Sequence, residues 1–146
     1  MQSEKLRDII HDIINEIENL IPFYMANEED RKKADGNVSV CIIDKEGNIY
    51  GKMFGGTDKI RGRETYRVAW IKASQVWLTG IRTGEFEKLA FNNEIEEEQF
   101  GIKRPDYIGW EGGQPVTLKD GTVLSFGFSG FRSVSDLEIV IKALPK

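Results

Sequence analysis

The chain has 146 residues, 40% of them hydrophobic and 10% aromatic, enough apolar material to close one core and too much for a disordered segment. Its 20 Lys and Arg against 24 Asp and Glu leave a net charge of −4, which argues against nucleic acid as a partner. A single cysteine, Cys41, and a single histidine, His11, exclude an internal disulfide and the usual Cys/His zinc sites. The polar start and the short apolar runs fit neither a signal sequence nor a membrane span, so a cytoplasmic protein with no membrane partner is expected.

Leu6, Ile9, Ile10, Ile13, Ile14, Ile17, Leu20 and Ile21 recur at three- and four-residue steps. This spacing predicts an amphipathic helix with Ser3 as its cap and Pro22 as its stop, and a stripe wide enough to pack on a sheet. Residues 27–36 read as a connecting loop. Val38–Ile43 carries β-forming residues on both faces, and Ile49–Phe54 follows a turn around Gly47. The pair reads as a β-hairpin whose first strand lies centrally, covered on both sides, and three layers follow from that.

Gly55, Gly56 and Thr57 lead into a helix over roughly residues 63–82, with Tyr66, Ala69, Trp70, Ala73, Val76 and Trp77 on a broad apolar face. Gly84 is placed to end it, and residues 86–91 form a further short turn or helix. The acidic stretch from Glu94 to Glu98 reads as solvated surface. Residues 116–118 and 122–128 read as a second antiparallel pair among closely spaced glycines. Ser135 followed by Glu138 has the capping-box pattern, opening a terminal helix through about residue 144. The expected architecture is one α+β domain over residues 1–146, in the order α-β-β-α-β-β-α.

Gly112-Gly113-Gln114-Pro115-Val116, Lys119-Asp120-Gly121-Thr122-Val123, and Phe126-Gly127-Phe128-Ser129-Gly130 followed by Asp136 resemble the C-terminal hallmark of the GlcG/HbpS-like family, also described as haem-degrading and including the PduO C-terminal domain. Upstream, Val40 to Gly47 resembles the family's strand ending in Asp, x, x, Gly, and Lys72-Ala73 its central-helix pair, so the match spans roughly residues 38–144. The resemblance implies a profilin-like α/β/α fold with a central antiparallel sheet. It also implies homo-oligomers and a small-molecule ligand, with haem, another tetrapyrrole or a small organic acid as candidates.

The glycines support two readings. In one, Gly112, Gly113, Gly127 and Gly130 serve tight turns and close packing. In the other, the loop from Gly112 to Pro115 and the turn from Ser129 to Ser135 line a pocket whose backbone N–H groups face an anion. Lys72 either snorkels to water or meets a ligand carboxylate, and Asp136 either favours a helix start or joins the site. Arg61 and Arg63 form a basic segment open to an acidic ligand. His11, the one conventional haem ligand, falls on the polar shoulder of the first helix, about 120° from the centre of its apolar stripe.

The ligand-binding candidates are therefore Gly112, Gly113, Pro115, Ser129, Gly130, Asp136 and Lys72, with His11 as the candidate for haem iron. No carboxylate pair, nucleophile–base pair or metal-ligand spacing emerges, so no reaction mechanism follows. Three functions remain open: ligand binding, an accessory role through assembly on exposed aromatics such as Trp110 or Phe131, and an enzyme acting on a small metabolite or on haem.

Overall fold

A computed structural model describes residues 3–102 and 107–146 of the chain, with the side chains of Ser3, Glu97 and Glu98 outside the description. The cap expected of Ser3, and that part of the acidic stretch, therefore lie outside the described residues. The elements are α1 (Ser3–Met25), α2 (Glu28–Ala34), β1 (Val38–Ile43), β2 (Ile49–Phe54), α3 (Lys59–Thr79), α4 (Thr83–Phe91), a short 3-10 turn (Glu97–Phe100), β3 (Gly113–Thr117), β4 (Val123–Ser129) and α5 (Ser133–Ala143). The described strands form one antiparallel sheet in the order β2-β1-β4-β3.

Register decides which side chains meet which helix. Val40 pairs with Phe128 and Cys41 with Gly127 across the two central strands. Alternate positions then point to opposite faces. Val38, Val40, Ile42, Leu124, Phe126 and Phe128 pack against the isoleucine stripe of α1 and against Ile139 and Val140 of α5. Cys41 and Ile43 meet Ala69 and Ala73 of α3 on the other face. The fold is thus α+β in three layers, α1 and α5 on one side and α3 on the other, as expected for a fully buried β1.

The second layer packs closely because its seam is made of small residues. A Cβ on Gly127 would lie 2.0 Å from the Ala69 carbonyl oxygen and 2.6 Å from the Ala73 nitrogen. No side chain fits between β4 and α3 at that point.

Several boundaries depart from expectation. Pro22 lies inside α1 rather than ending it. The last turn is held by Tyr24, which stacks on Phe131 at 5.6 Å and donates to Glu138 at 2.7 Å, so tertiary packing outweighs the proline's lost donor. Residues 27–36 are not a loop throughout. They contain α2, capped by Asn27 accepting from the Asp30 N–H at 3.0 Å, with Glu28, Glu29 and Asp30 in the first turn and Arg31, Lys32 and Lys33 in the last. That charge order suits the helix dipole.

Helix α3 starts earlier than expected, at an Asp58 cap, and ends at Gly80 in a left-handed conformation (φ 71°). Gly84 instead lies within α4. Trp70 and Trp77 do not join the core but stand 44% and 47% exposed on the outer face of α3. The capping box is not formed, because α5 already begins at Ser133. Ser135 donates to Asp30 at 2.7 Å and Glu138 accepts from Tyr24. No helix among the described residues is long and apolar enough to cross a membrane.

Candidate functional site

Where the first turns of α3, the end of β4 and the start of α5 meet α2 there is a cavity of about 240 Å³. Its walls carry Lys33 from α2, Arg61, Glu64 and Lys72 from α3, Ser129 and Gly130 at the end of β4, and Asp136 from α5, with Trp110 and Glu111 at one side. Larger open clefts exist elsewhere, but this one brings buried charge to its wall.

Lys72 and Asp136 are the central pair, with side chains 3% and 4% exposed and 3.4 Å apart. Lys72 also donates to the Phe128 carbonyl at 2.9 Å. Asp136 holds its second oxygen toward the Phe131 N–H at 2.9 Å. Lys72 reaches β4 because the backbone beside it is glycine: at Gly112 (φ 125°) a Cβ would sit 2.6 Å from Nζ and 2.4 Å from the Phe128 oxygen. Both readings of Gly112 therefore meet in one place, since its missing side chain is what admits the lysine.

Burial dominates the electrostatics of the pair. It pushes the Asp136 carboxyl up to about 7, against the Lys72 charge and the Phe131 N–H, which act to lower it. It pushes the Lys72 amine down, with Asp136 opposing. Each group is driven toward its neutral form because charge is costly away from water.

Arg61 is the second notable wall residue. Its Nη2 donates to the Lys33 carbonyl at 2.6 Å, while its Nε is buried with no hydrogen-bond partner among the described residues. An unmet buried donor costs about 1–3 kcal/mol.

Of the residues singled out from sequence, Lys72, Ser129, Gly130 and Asp136 line this cavity and Gly112 borders Lys72. Gly113 instead packs behind it, donating to the Thr83 hydroxyl at 3.3 Å. Pro115 is exposed on β3 and does not line the cavity. Arg61 lines it from the first turn of α3; Arg63 does not. The expected anion-facing N–H groups of the turn are occupied internally, Phe131 by Asp136 and Arg132 by Asp30.

Lys33, Glu64 and Glu111 were not singled out from sequence, being charged residues with no motif around them. Phe131 is 1% exposed and offers no surface patch, whereas Trp110 is 68% exposed. Cys41 is buried, its thiol pushed up to about 11 by desolvation, so it is no nucleophile at neutral pH.

His11 lies apart from this cavity. It is exposed on α1, its ring edge-on to Tyr50 at 6.1 Å. Haem does not fit the cavity itself: 240 Å³ is below the usual range for a cofactor-sized ligand, and the wall carries no His, Met, Cys or Tyr. No group of three or more His, Cys, Asp or Glu placed to hold a metal ion occurs among the described residues.

No family model matches the sequence, and none of the curated proteins matches it. Solved structures do. One described as a PduOC:heme complex matches with a TM-score of 0.61 at 16% identity, over 99% of this chain and 92% of that one. The Ybr137w protein matches at 0.62 and 15% identity, over 95% and 78%. The Klebsiella pneumoniae protein ORFY, labelled DUF336, matches at 0.57 and 19% identity, over 84% of each chain. At these identities the likeness concerns the fold, and the chain has the fold that the sequence motifs resemble, that of the GlcG/HbpS-like proteins.

Proposed function

We propose that this chain is a small-ligand-binding domain whose ligand is a small organic acid, seated in the cavity between α2, α3 and the β4–α5 turn. The observation that carries the reading is the convergence of three cationic side chains, Lys33, Arg61 and Lys72, on the wall of one cavity. A carboxylate meets there a guanidinium suited to its planar geometry. Glu64 and Glu111 on the same wall are held by Arg67 and Arg82, and their remaining lone pairs suit a hydroxyl or other donor on the acid.

The test is a thermal-shift series with acetate, glycolate, pyruvate and oxalate. At about a hundredfold excess over Kd a specific ligand raises the midpoint by roughly 5 °C or more, and Arg61→Gln abolishes the rise. No shift with any of these acids removes the reading.

A second reading keeps haem, supported by the likeness to the PduOC:heme structure over nearly its whole length. Its iron ligand would be His11, on the exposed face of α1 beside Tyr50, with a neighbouring subunit of a homo-oligomer covering the other haem face. A haemin titration of the native protein and of His11→Ala decides it. A saturable Soret shift lost in the variant supports the reading; an unchanged titration rejects His11.

A further inference from the structure

The cavity wall holds a feature that carboxylate binding alone does not use, a primary amine and a carboxyl group buried side by side. Lys72 and Asp136 lie within ion-pair distance of each other between α3 and α5. Here the separation is 3.4 Å and the shorter contact of Nζ, at 2.9 Å, goes to the neutral Phe128 carbonyl. Two acceptors meet an amine that carries three protons when charged, and the deprotonated amine exposes a lone pair instead.

We propose that Lys72 is a nucleophilic amine that condenses reversibly with the carbonyl carbon of a small 2-oxo acid held in this cavity, with Asp136 as its proton donor. The proposal rests on the carboxylate reading above. Arg61 and Lys33 hold the acid's carboxylate, which sets its adjacent carbonyl among the groups shared by the same wall.

The lone pair of Nζ forms the C–N bond, and the carbonyl π pair moves to oxygen, which takes up a proton. That proton comes from the nitrogen, giving a neutral carbinolamine; the hydroxyl then departs as water with the proton of Asp136, the nitrogen lone pair closes the C=N bond, and the products are a protonated imine beside the Asp136 carboxylate and one water. No oxidant or further reactant enters. A desolvated lysine is the ordinary way to have such an amine neutral near pH 7, and the push on Lys72 runs in that direction. The other charged groups on the wall, Lys33, Arg61, Glu64 and Glu111, are of both signs.

The experiment incubates the whole native protein with pyruvate and sodium cyanoborohydride, then locates the reduced adduct by peptide mass mapping. A parallel sample with acetate, which has no ketone, is the control. The expected result is a single adduct at Lys72, about tenfold above that at any exposed lysine, absent with acetate and absent in Lys72→Met. Mapping on the native chain keeps the result readable even if that variant fails to fold. Pyruvate that raises the melting midpoint yet leaves Lys72 unmodified overturns the imine and leaves the carboxylate reading standing. An adduct spread evenly over surface lysines overturns it as well. Neither a thermal shift nor an adduct with pyruvate counts against both.

Discussion

Asp30 of α2 and Arg132 at the start of α5 are joined by three contacts: the carboxylate accepts from the Arg132 backbone N–H at 2.9 Å, from Nε at 2.9 Å and from Nη2 at 3.2 Å. Ser135 adds a fourth at 2.7 Å. Asp30 is itself 0% exposed, so a short helix is locked onto the end of the chain by one fully paired carboxylate.

Asp30→Ala removes that anchor and leaves the Arg132 N–H and the Ser135 hydroxyl without their acceptor. The expected loss is about 2–4 kcal/mol, with Asp30→Asn costing roughly half as much, read from urea unfolding at pH 7. Burial raises the Asp30 pKa, but the hydrogen bonds from Arg132 and Ser135 outweigh it and hold the group below its ordinary 3.8. Its contribution is therefore complete above pH 3.8 and is lost as pH falls further. A stability profile flat down to pH 2 in the native protein would contradict this.

The layers were legible from sequence because periodicity reports burial. The isoleucine stripe of α1 and the two-sided apolar β1 demand cover on both faces, and the structure supplies it. What local pattern could not show is decided at long range. Pro22 is tolerated because Tyr24 finds Phe131 and Glu138 more than a hundred residues away, and Ser135 abandons a capping box for Asp30. The missed α2 did carry a local signal, Asn27 ahead of three acids and then three bases. Lys72 and Asp136 were visible as single residues, but their pairing depends on Gly112 clearing space between two elements distant in sequence.

Gly127 tests how tightly α3 sits on the sheet. The alanine methyl would meet the Ala69 carbonyl at 2.0 Å, a backbone atom with no rotamer to yield, so α3 must lift from β4 along its length. Gly127→Ala is expected to cost about 3 kcal/mol or more, at or above the upper end of ordinary overpacking, seen as a lowered thermal midpoint or loss of folded protein. A melting curve matching the native one would mean that the close approach of α3 is not as described.

The expected surface for self-association is the outer face of α3, on the side of the sheet opposite the α1 face on which haem would be shared. Trp70, Trp77 and Leu78 are each 44–47% exposed and border one groove with Arg67 and Ile102, an apolar patch of the kind that marks association. Light scattering is expected to return a multiple of 16.6 kDa, and Trp70→Ser to lower that mass while changing chain stability by only about 0.5 kcal/mol. A native mass of one chain would remove the oligomer, and an unaltered oligomer in Trp70→Ser would move the interface elsewhere.

Asp136 makes the opposite pH prediction to Asp30. Its folded pKa, about 7, lies above the ordinary 3.8, so between those values the folded chain binds more protons than the unfolded one. Stability from this group is then greatest near pH 4 and falls as pH rises toward 7. Asp136→Asn keeps the shape and cannot titrate, while Asp30 titrates alike in both proteins and cancels from the difference. The cost of the substitution is therefore expected to shrink steadily from pH 4 to pH 7, measured as the gap between paired urea midpoints. A cost that stays constant over that interval would mean that Lys72 holds Asp136 ionised throughout, as a permanent ion pair rather than a proton-sharing one. The amine would then be charged at neutral pH and unable to attack a carbonyl, so this profile bears directly on the chemistry assigned to Lys72.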